Sequence, residues 1–465
     1  MLTYSLDKKG SDSLYEFLYK CIKNDILNSN IAANEKLPSK RSFAKNLGIS
    51  VITVENTYSQ LAAEGFIYSI PKKGFFAADI KSNGQKKELP AKNNVANETL
   101  MQKKCSTNSS VGQTDSKNFP FATWAHLMRE VLTQKQSDLM KNPPAGGTFE
   151  LRKAIAEHLK GFRGMTVSPQ QVIVGAGTEY LYGLLIQLLG FDKRYGVENP
   201  GYSKIAKVYE SHNVECSFIS LDKAGVCVDE LEKTFTDVIH ISPSHHFPTG
   251  IVMPASRRYE LLSWVSSSPS RYIIEDDYDS EFRFFGRPIP TLQSIDISGK
   301  VIYMNTFTKT LASTIRISYM VLPMNLVQDF QAKLGFYSCT VPTFEQFTLA
   351  AFISGGYFEK HINRMRKLYQ AKRDSIINAL QTNNYTHKID VLEEDAGLHF
   401  LLRLHSDVHS ENLLKYSELH GIKIVPLSAY YKNPPDSAQH CFVVNYTSAV
   451  NEKIADAIEQ IFRCL

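Results

Sequence analysis

The sequence predicts a chain of two unlike parts: a small helical module closed by a β-hairpin, and a large α/β region. Three observations carry this. Apolar residues recur at helical spacing through the first 64 residues and give way to two short strands. From Phe119 onward, apolar strands, glycine or proline punctuation and amphipathic helices alternate. Between them, Ile80 to Asn118 has almost no apolar periodicity. At 465 residues the chain is long enough for roughly three domains, or one large enzyme plus an appendage.

Residues 12–28 read as an amphipathic helix on Leu14, Leu18, Cys21, Ile22 and Ile26. A second helix opens at Pro38-Ser39 and stops at Gly48. Ser50 caps a third, closed by Gly65, with Val54, Tyr58 and Leu61 inward and Thr53, Asn56, Thr57 and Gln60 toward solvent. Strands over Phe66–Ile70 and Phe75–Ala78 flank the basic turn Pro71-Lys72-Lys73-Gly74. This is the order of a winged helix-turn-helix.

The charge agrees with a nucleic-acid-binding end. The net charge is +5, yet residues 1–80 carry ten Lys and Arg against eight Asp and Glu, and residues 81–118 seven against three. The stretch 80–118 is rich in Lys, Asn, Ser, Thr and Gln, too polar to offset chain entropy, and is expected to be a flexible tether. Roughly 35 such residues average about 30–35 Å end to end. Seven scattered cysteines without C-x-x-C spacing argue against a disulfide framework or zinc site. With no signal pattern and no apolar run near the length of a membrane span, a cytoplasmic protein is expected.

In the large region, a strand at Gln171–Val174 runs into Gly175-Ala176-Gly177-Thr178 and a helix, an arrangement that can cradle phosphate. Glu198 to Tyr202 follows the next strand, and Tyr202 could lie over a flat ring. A strand at Tyr272–Ile274 ends in the acidic run Glu275-Asp276-Asp277-Tyr278-Asp279-Ser280-Glu281, where α/β sheets bind ligands. The alternating Asp277, Asp279 and Glu281 could suit a metal, but the glycine and terminal glutamate of a calcium loop are misplaced, and no metal is expected. The segment Val301 to Met320 holds one lysine, Lys309, among Thr306, Thr308 and Thr310 between two apolar strands, with Arg316 seven residues on. A lysine so placed can lose its proton, and a neutral amine forms Schiff bases with aldehydes.

Together these groups fit one small molecule. It has a phosphate for Gly177, Thr178, Thr306 and Arg316, a ring nitrogen for Asp276 and an oxygen for Tyr278. Its flat face suits Tyr202 and its aldehyde suits Lys309. That molecule is pyridoxal 5′-phosphate.

The stretch LPSKRSFAKNLGISVITVENTYSQLAAEGFIYSIPKKGFF resembles the DNA-binding domain of GntR-type bacterial regulators. The strings PSHHFPTG, IEDDYDSEFRF, IYMNTFTKTLASTIRISY and HINRMRKLYQAKRD resemble fold-type I aminotransferases, specifically the MocR subfamily, in which that fold follows a GntR winged helix. The resemblance implies a winged helix over 1–79, a linker over 80–118 and, over 119–465, an aminotransferase-like domain with a large mostly parallel sheet and a smaller C-terminal α+β subdomain. By it, Ser39, Lys40 and Arg41 meet phosphate and groove, Thr53 enters the major groove, and Lys72 and Lys73 reach out from the wing. Val51 and Ile52 stand where the family often has arginine and asparagine.

The resemblance further implies a homodimer that binds operator half-sites. Within its motifs, Phe247 stands where ordinary aminotransferases have asparagine, His246 where glutamine is usual, and Lys204 where GABA-responsive members have arginine. The segment QHCFVVNY lacks the substrate arginine. The expected function is a transcriptional regulator sensing an amine, an amino acid or a B6 vitamer (pyridoxal phosphate itself included) through the cofactor. The alternative is an active aminotransferase carrying a DNA-binding fusion.

Overall fold

The computed structural model describes residue 4 and residues 12–79, 116–284, 289–382, 389–394, 397–405 and 424–447. The expected tether lies outside the described residues up to 115. The chain divides into two compact units, Met1–Cys105 and Ser106–Leu465. No helix among the described residues is long and apolar enough to cross a membrane.

The first unit holds α1 (Leu14–Leu27), α2 (Lys40–Leu47) and α3 (Val51–Ala63), then β1 (Ile67–Ile70) and β2 (Gly74–Ala77). Serines set the starts of α2 and α3. Ser39 Oγ accepts the Ser42 N–H and Ser50 Oγ accepts the Thr53 N–H, both at 3.1 Å. Pro38 therefore precedes the cap of α2 instead of occupying its first turn. Gly48, at φ +65°, lets the chain leave α2 in the left-handed conformation. Leu18, Ile22, Ile26, Phe43, Val54, Tyr58 and Leu61 form the core, and β1 pairs antiparallel with β2 to make the wing.

Thr57 departs from the expected solvent face. It is fully buried, because its hydroxyl donates to Thr53 O at 2.9 Å and so needs no water. The exposed residues of α3 are therefore Val51, Ile52, Glu55, Asn56, Ser59, Gln60, Ala62 and Ala63.

The second unit is built on an eight-stranded sheet of order β3-β10-β9-β8-β7-β4-β5-β6. Its strands are β3 (Val172–Gly175), β4 (Tyr195–Asn199), β5 (Cys216–Asp222), β6 (Gly225–Val226), β7 (Val238–Ile241), β8 (Tyr272–Asp276), β9 (Val301–Thr306) and β10 (Ser318–Val321). The run β5-β4-β7-β8-β9 is parallel, while β10 is antiparallel to both β9 and β3.

The central strands are mostly apolar because both faces are covered, with polar residues gathered toward their carboxyl ends. Val172 and Val174 pack with Leu151, Ile155 and Leu349 on one side, and Ile173 between them packs with Leu181, Leu185 and Phe330 on the other. A smaller antiparallel sheet has the order β11 (Ile389–Leu392), β12 (His399–Leu404), β14 (Cys441–Asn445), β13 (Ile424–Pro426). It packs Phe400, Leu402, Phe442 and Val444 on the helix Tyr357–Gln381 through Met365, Tyr369 and Ile376.

All the parallel strands point their carboxyl ends to one edge, so the turns after β3, β4, β7, β8 and β9 meet there. The end of β8 is anchored from behind. Glu275 accepts the N–H groups of Leu292 and Gln293 at 2.9 Å each. Asp277 takes Arg163 at 2.8 Å and the Tyr303 hydroxyl at 2.7 Å. Both charges of the Arg163–Asp277 pair are buried, so removing one strands the other. Arg163→Met should lower the urea-unfolding stability of this unit by about 3–5 kcal/mol. The double variant Arg163→Met/Asp277→Asn should recover most of that loss, and a double variant as unstable as the single one would refute the assignment.

Candidate functional site

The converging turns enclose a cavity of about 350 Å³, within the range of small-molecule sites. Eight residues expected to meet the cofactor fall around this edge. Thr178, Tyr202, Asp276, Tyr278, Thr306, Lys309 and Arg316 line the cavity, and Gly177 abuts Arg316.

Strand alternation decides which acid of the run faces the cavity. Asp276 Oδ2 accepts the Tyr182 hydroxyl at 2.8 Å and lies 3.4 Å from His240 Nε2, whose Nδ1 meets the Tyr209 hydroxyl at 2.8 Å. Asp276 Oδ1 is buried without a hydrogen-bond partner. A buried carboxylate oxygen left open is costly unless something occupies the site to meet it.

Lys309 is half-buried on the one-turn helix Phe307–Thr310, directly after β9. Burial lowers its pKa, and the charge of Asp279 opposes that shift. Burial, and next the charge of Asp279, raises the Tyr278 phenol well above its ordinary value, so it stays a donor. Tyr202 is half-exposed at the cavity wall, edge-on to Phe247 at 6.0 Å. Thr306 Oγ1 is engaged with Ser318, at 2.8 Å, and with Thr308.

At the other end, the helix Thr178–Leu189 aims its N-terminus at the cavity behind Gly177, which has φ +95°. A Cβ on Gly177 would crowd the Arg316 guanidinium, which would have to swing aside, and the positive φ itself favours glycine. Glu179 bridges Arg316, at 2.5 Å, and Lys204. A carboxylate thus already occupies the position between these cations that suits an anion.

Sequence reasoning missed Tyr182, Glu179, His240 and Glu198. Tyr182 follows Thr178 by four residues on one helix face, a legible signal. His240 was visible as the one polar residue of the strand VIHI. Burial pushes Glu198 up to about 8, against the Ser242 N–H and with Asp276, and nothing in its spacing announced that.

The alternating carboxylates weighed as a metal set take separate partners. Asp277 binds Arg163, Asp279 meets His245 at 2.9 Å, and Glu281 accepts from Asn305 at 3.3 Å. Behind Tyr278, His245, Asp279 and His399 bring their donor atoms within 4.8 Å of one another.

In the first unit, Lys40 Nζ lies 2.6 Å from Glu55 of α3 and over the Phe75 ring of β2 at 5.4 Å, tying the start of α2 to α3 and the wing. Ser39 and Arg41 are exposed at the start of α2, and Lys72 and Lys73 at the wing tip. Thr53 is half-buried, its hydroxyl 2.9 Å from Ser50 Oγ.

A winged helix-turn-helix ahead of a sheet whose carboxyl edge carries a lysine, an open buried aspartate and an anion cradle defines a DNA-binding regulator built on an aminotransferase fold. Residues 14–77 match the family of bacterial regulatory proteins of the gntR type, and residues 106–458 match aminotransferase class I and II. The chain is 38% identical to the uncharacterized HTH-type transcriptional regulator YdeL of Bacillus subtilis, covering 93% of each chain. It is 31% identical to the probable rhizopine catabolism regulatory protein MocR of Rhizobium meliloti, covering 92% of this chain and 90% of that one. A crystal structure of the kynurenine aminotransferase of Pyrococcus horikoshii, in complex with PMP, is similar with a TM-score of 0.66 and 25% identity, covering 83% of this chain and 98% of that one. The chain belongs to the MocR-type GntR transcriptional regulators, whose second domain is of aminotransferase class I and II.

The cradle can be tested directly. Gly177→Ala should weaken pyridoxal phosphate binding about tenfold, by straining the positive-φ turn by about 1–2 kcal/mol and crowding Arg316. Gly164→Ala, also at positive φ but with open space around it, should cost only stability, about 1 kcal/mol. Equal binding by the Gly177 variant would remove the cradle.

Proposed function

We propose that the second unit holds pyridoxal 5′-phosphate on Lys309 and through it senses an amine, an amino acid or a B6 vitamer. The sensed ligand alters operator binding by the winged helix. The observation that carries this reading is the unpartnered Oδ1 of Asp276, buried in the cavity that Lys309 also lines.

Asp276 would face the ring nitrogen, with Tyr182 and His240 holding its other oxygen. Tyr278 would donate to the ring oxygen and Tyr202 would lie against the ring. Gly177, Thr178, Thr306 and Arg316 would take the phosphate, which competes with Glu179 for Arg316. When bound, the cofactor supplies an aldehyde that takes up primary amines and a ring that draws electrons. Lys309, its proton loosened by burial, supplies the amine that holds the group and can yield it to an incoming amine.

Sensing is favoured over turnover by the charges. The strand β14 carries no arginine, and the cavity cations Lys204 and Arg316 are both on Glu179. A clamp for a substrate carboxylate, which rigid positioning for transamination needs, is therefore not ready-made among the described residues.

The reading includes a cytoplasmic homodimer assembled through the second unit, with the two winged helices reaching paired half-sites. In support, Met140, Phe149 and Phe336 are large exposed apolar side chains, and their two segments are joined by the Cys339 N–H to Pro143 O bond.

Lys309→Ala should abolish the visible absorbance and borohydride-fixed adduct formed with pyridoxal phosphate, while the fold persists. A fixed adduct in that variant would refute the assignment. Uptake of pyridoxal phosphate should rise with pH around a midpoint below that of an ordinary lysine, since the neutral amine is required and burial lowers its pKa. Asp279→Asn removes the charge that raises this pKa and should move the midpoint further down. An upward move would reverse the sign argued here.

A further inference from the structure

The exposed start of α3 is apolar. Val51 and Ile52 are the first two residues of the helix and are 42% and 68% exposed. Neither joins the core of the first unit, which takes Val54, Tyr58 and Leu61 from this helix. Nothing local demands them, because the cap is made by Ser50 and the turn tolerates polar residues. Two adjacent β-branched side chains at the helix start are thus available to a partner outside this unit.

The charge around them says what it is. Arg41 is exposed without an ion pair among the described residues, Lys45 is exposed on α2, and Lys72 and Lys73 stand at the wing tip. An exposed apolar pair on a unit that also exposes these cations, with Glu55 of the same helix taken up by Lys40, fits a polyanion that carries apolar groups at a fixed depth. In a helix-turn-helix, the N-terminal residues of the second helix meet base edges in the major groove. The only apolar group that a base pair presents there is the 5-methyl of thymine. Rigid χ1 rotamers on valine and isoleucine fix where their methyls lie, so they can report the presence of such a group with little entropy to lose.

We propose that Val51 and Ile52 read thymine 5-methyl groups, so that the operator carries A·T pairs at the positions facing the start of α3. The phosphates would be met by Arg41, Lys72 and Lys73, which carry no sequence information. The inference rests on the reading that the winged helix binds DNA, and the experiment separates the two.

The full-length protein would select binding duplexes from a random pool. Each thymine of the selected site would then be replaced singly by deoxyuridine, which removes only the methyl. At one or two positions per half-site, affinity should fall about fourfold, the effect of one apolar carbon leaving contact. Ile52→Ser or Val51→Ser should bring that ratio to about one at the matching position, while Ile52→Leu should keep it. Retained binding with no uridine effect anywhere would overturn the inference and leave DNA binding intact. A uridine effect undiminished in both serine variants would overturn it too, because another group would then be reading the methyl. Failure to enrich any duplex would overturn the DNA-binding reading itself, and this inference with it.

Discussion

The site depends on how one strand end disposes of three consecutive carboxylates. Glu275, Asp276 and Asp277 are all buried, and three charges that close in a low-dielectric interior would repel strongly. The alternation of β8 sends them apart. Glu275 is met by two backbone N–H groups near Arg258, and Asp277 by Arg163 and Tyr303. Burial, and next the charge of Asp277, holds Glu275 up to about 7, so its own charge is reduced near neutrality. Only Asp276 turns to the cavity with an oxygen left over. The ion pair behind the strand is thus what allows an open carboxylate in front of it.

The same logic runs along the sheet edge. Parallel strands bring turns that are distant in sequence to one place, and each contributes a single polar group. The fold concentrates unsatisfied donors and acceptors where a ligand can satisfy them and keeps the rest of the interior paired. Glu179 bears this out from the opposite side. Arg316 and Lys204 both lie on Glu179, so the affinity of this corner for a phosphate would be a difference between two anions and not the full strength of either.

Much of this was legible in the residues. Strand-to-turn junctions, the acidic run and the lone lysine among threonines located the edge and seven of the cavity-lining groups, because each is a local signal. What escaped was long-range or a matter of phase. The choice of Asp276 over Asp277 agrees with the structure, but its reason, the register of β8 against β7 and β9, lies outside the local pattern. Tyr182 and His240 become supports for Asp276 only when a helix and a neighbouring strand are assembled around it. Thr57 was misplaced because a threonine bonded to the carbonyl four residues back behaves as an apolar residue, which its polarity conceals. The domain limits rest on periodicity and resemblance, and the tether on composition.

Each unit carries a core of its own: a small apolar one behind serine caps in the first, and the two covered faces of a sheet in the second. A ligand in the cavity can influence operator binding only as far as it binds more tightly to one arrangement of the regulator than to another. Each factor of ten in operator affinity requires about 1.4 kcal/mol of that difference. The open oxygen of Asp276, the buried amine of Lys309 and the ion-paired Glu179 are groups whose partners would change on the proposed binding. They are where such a difference in free energy can arise.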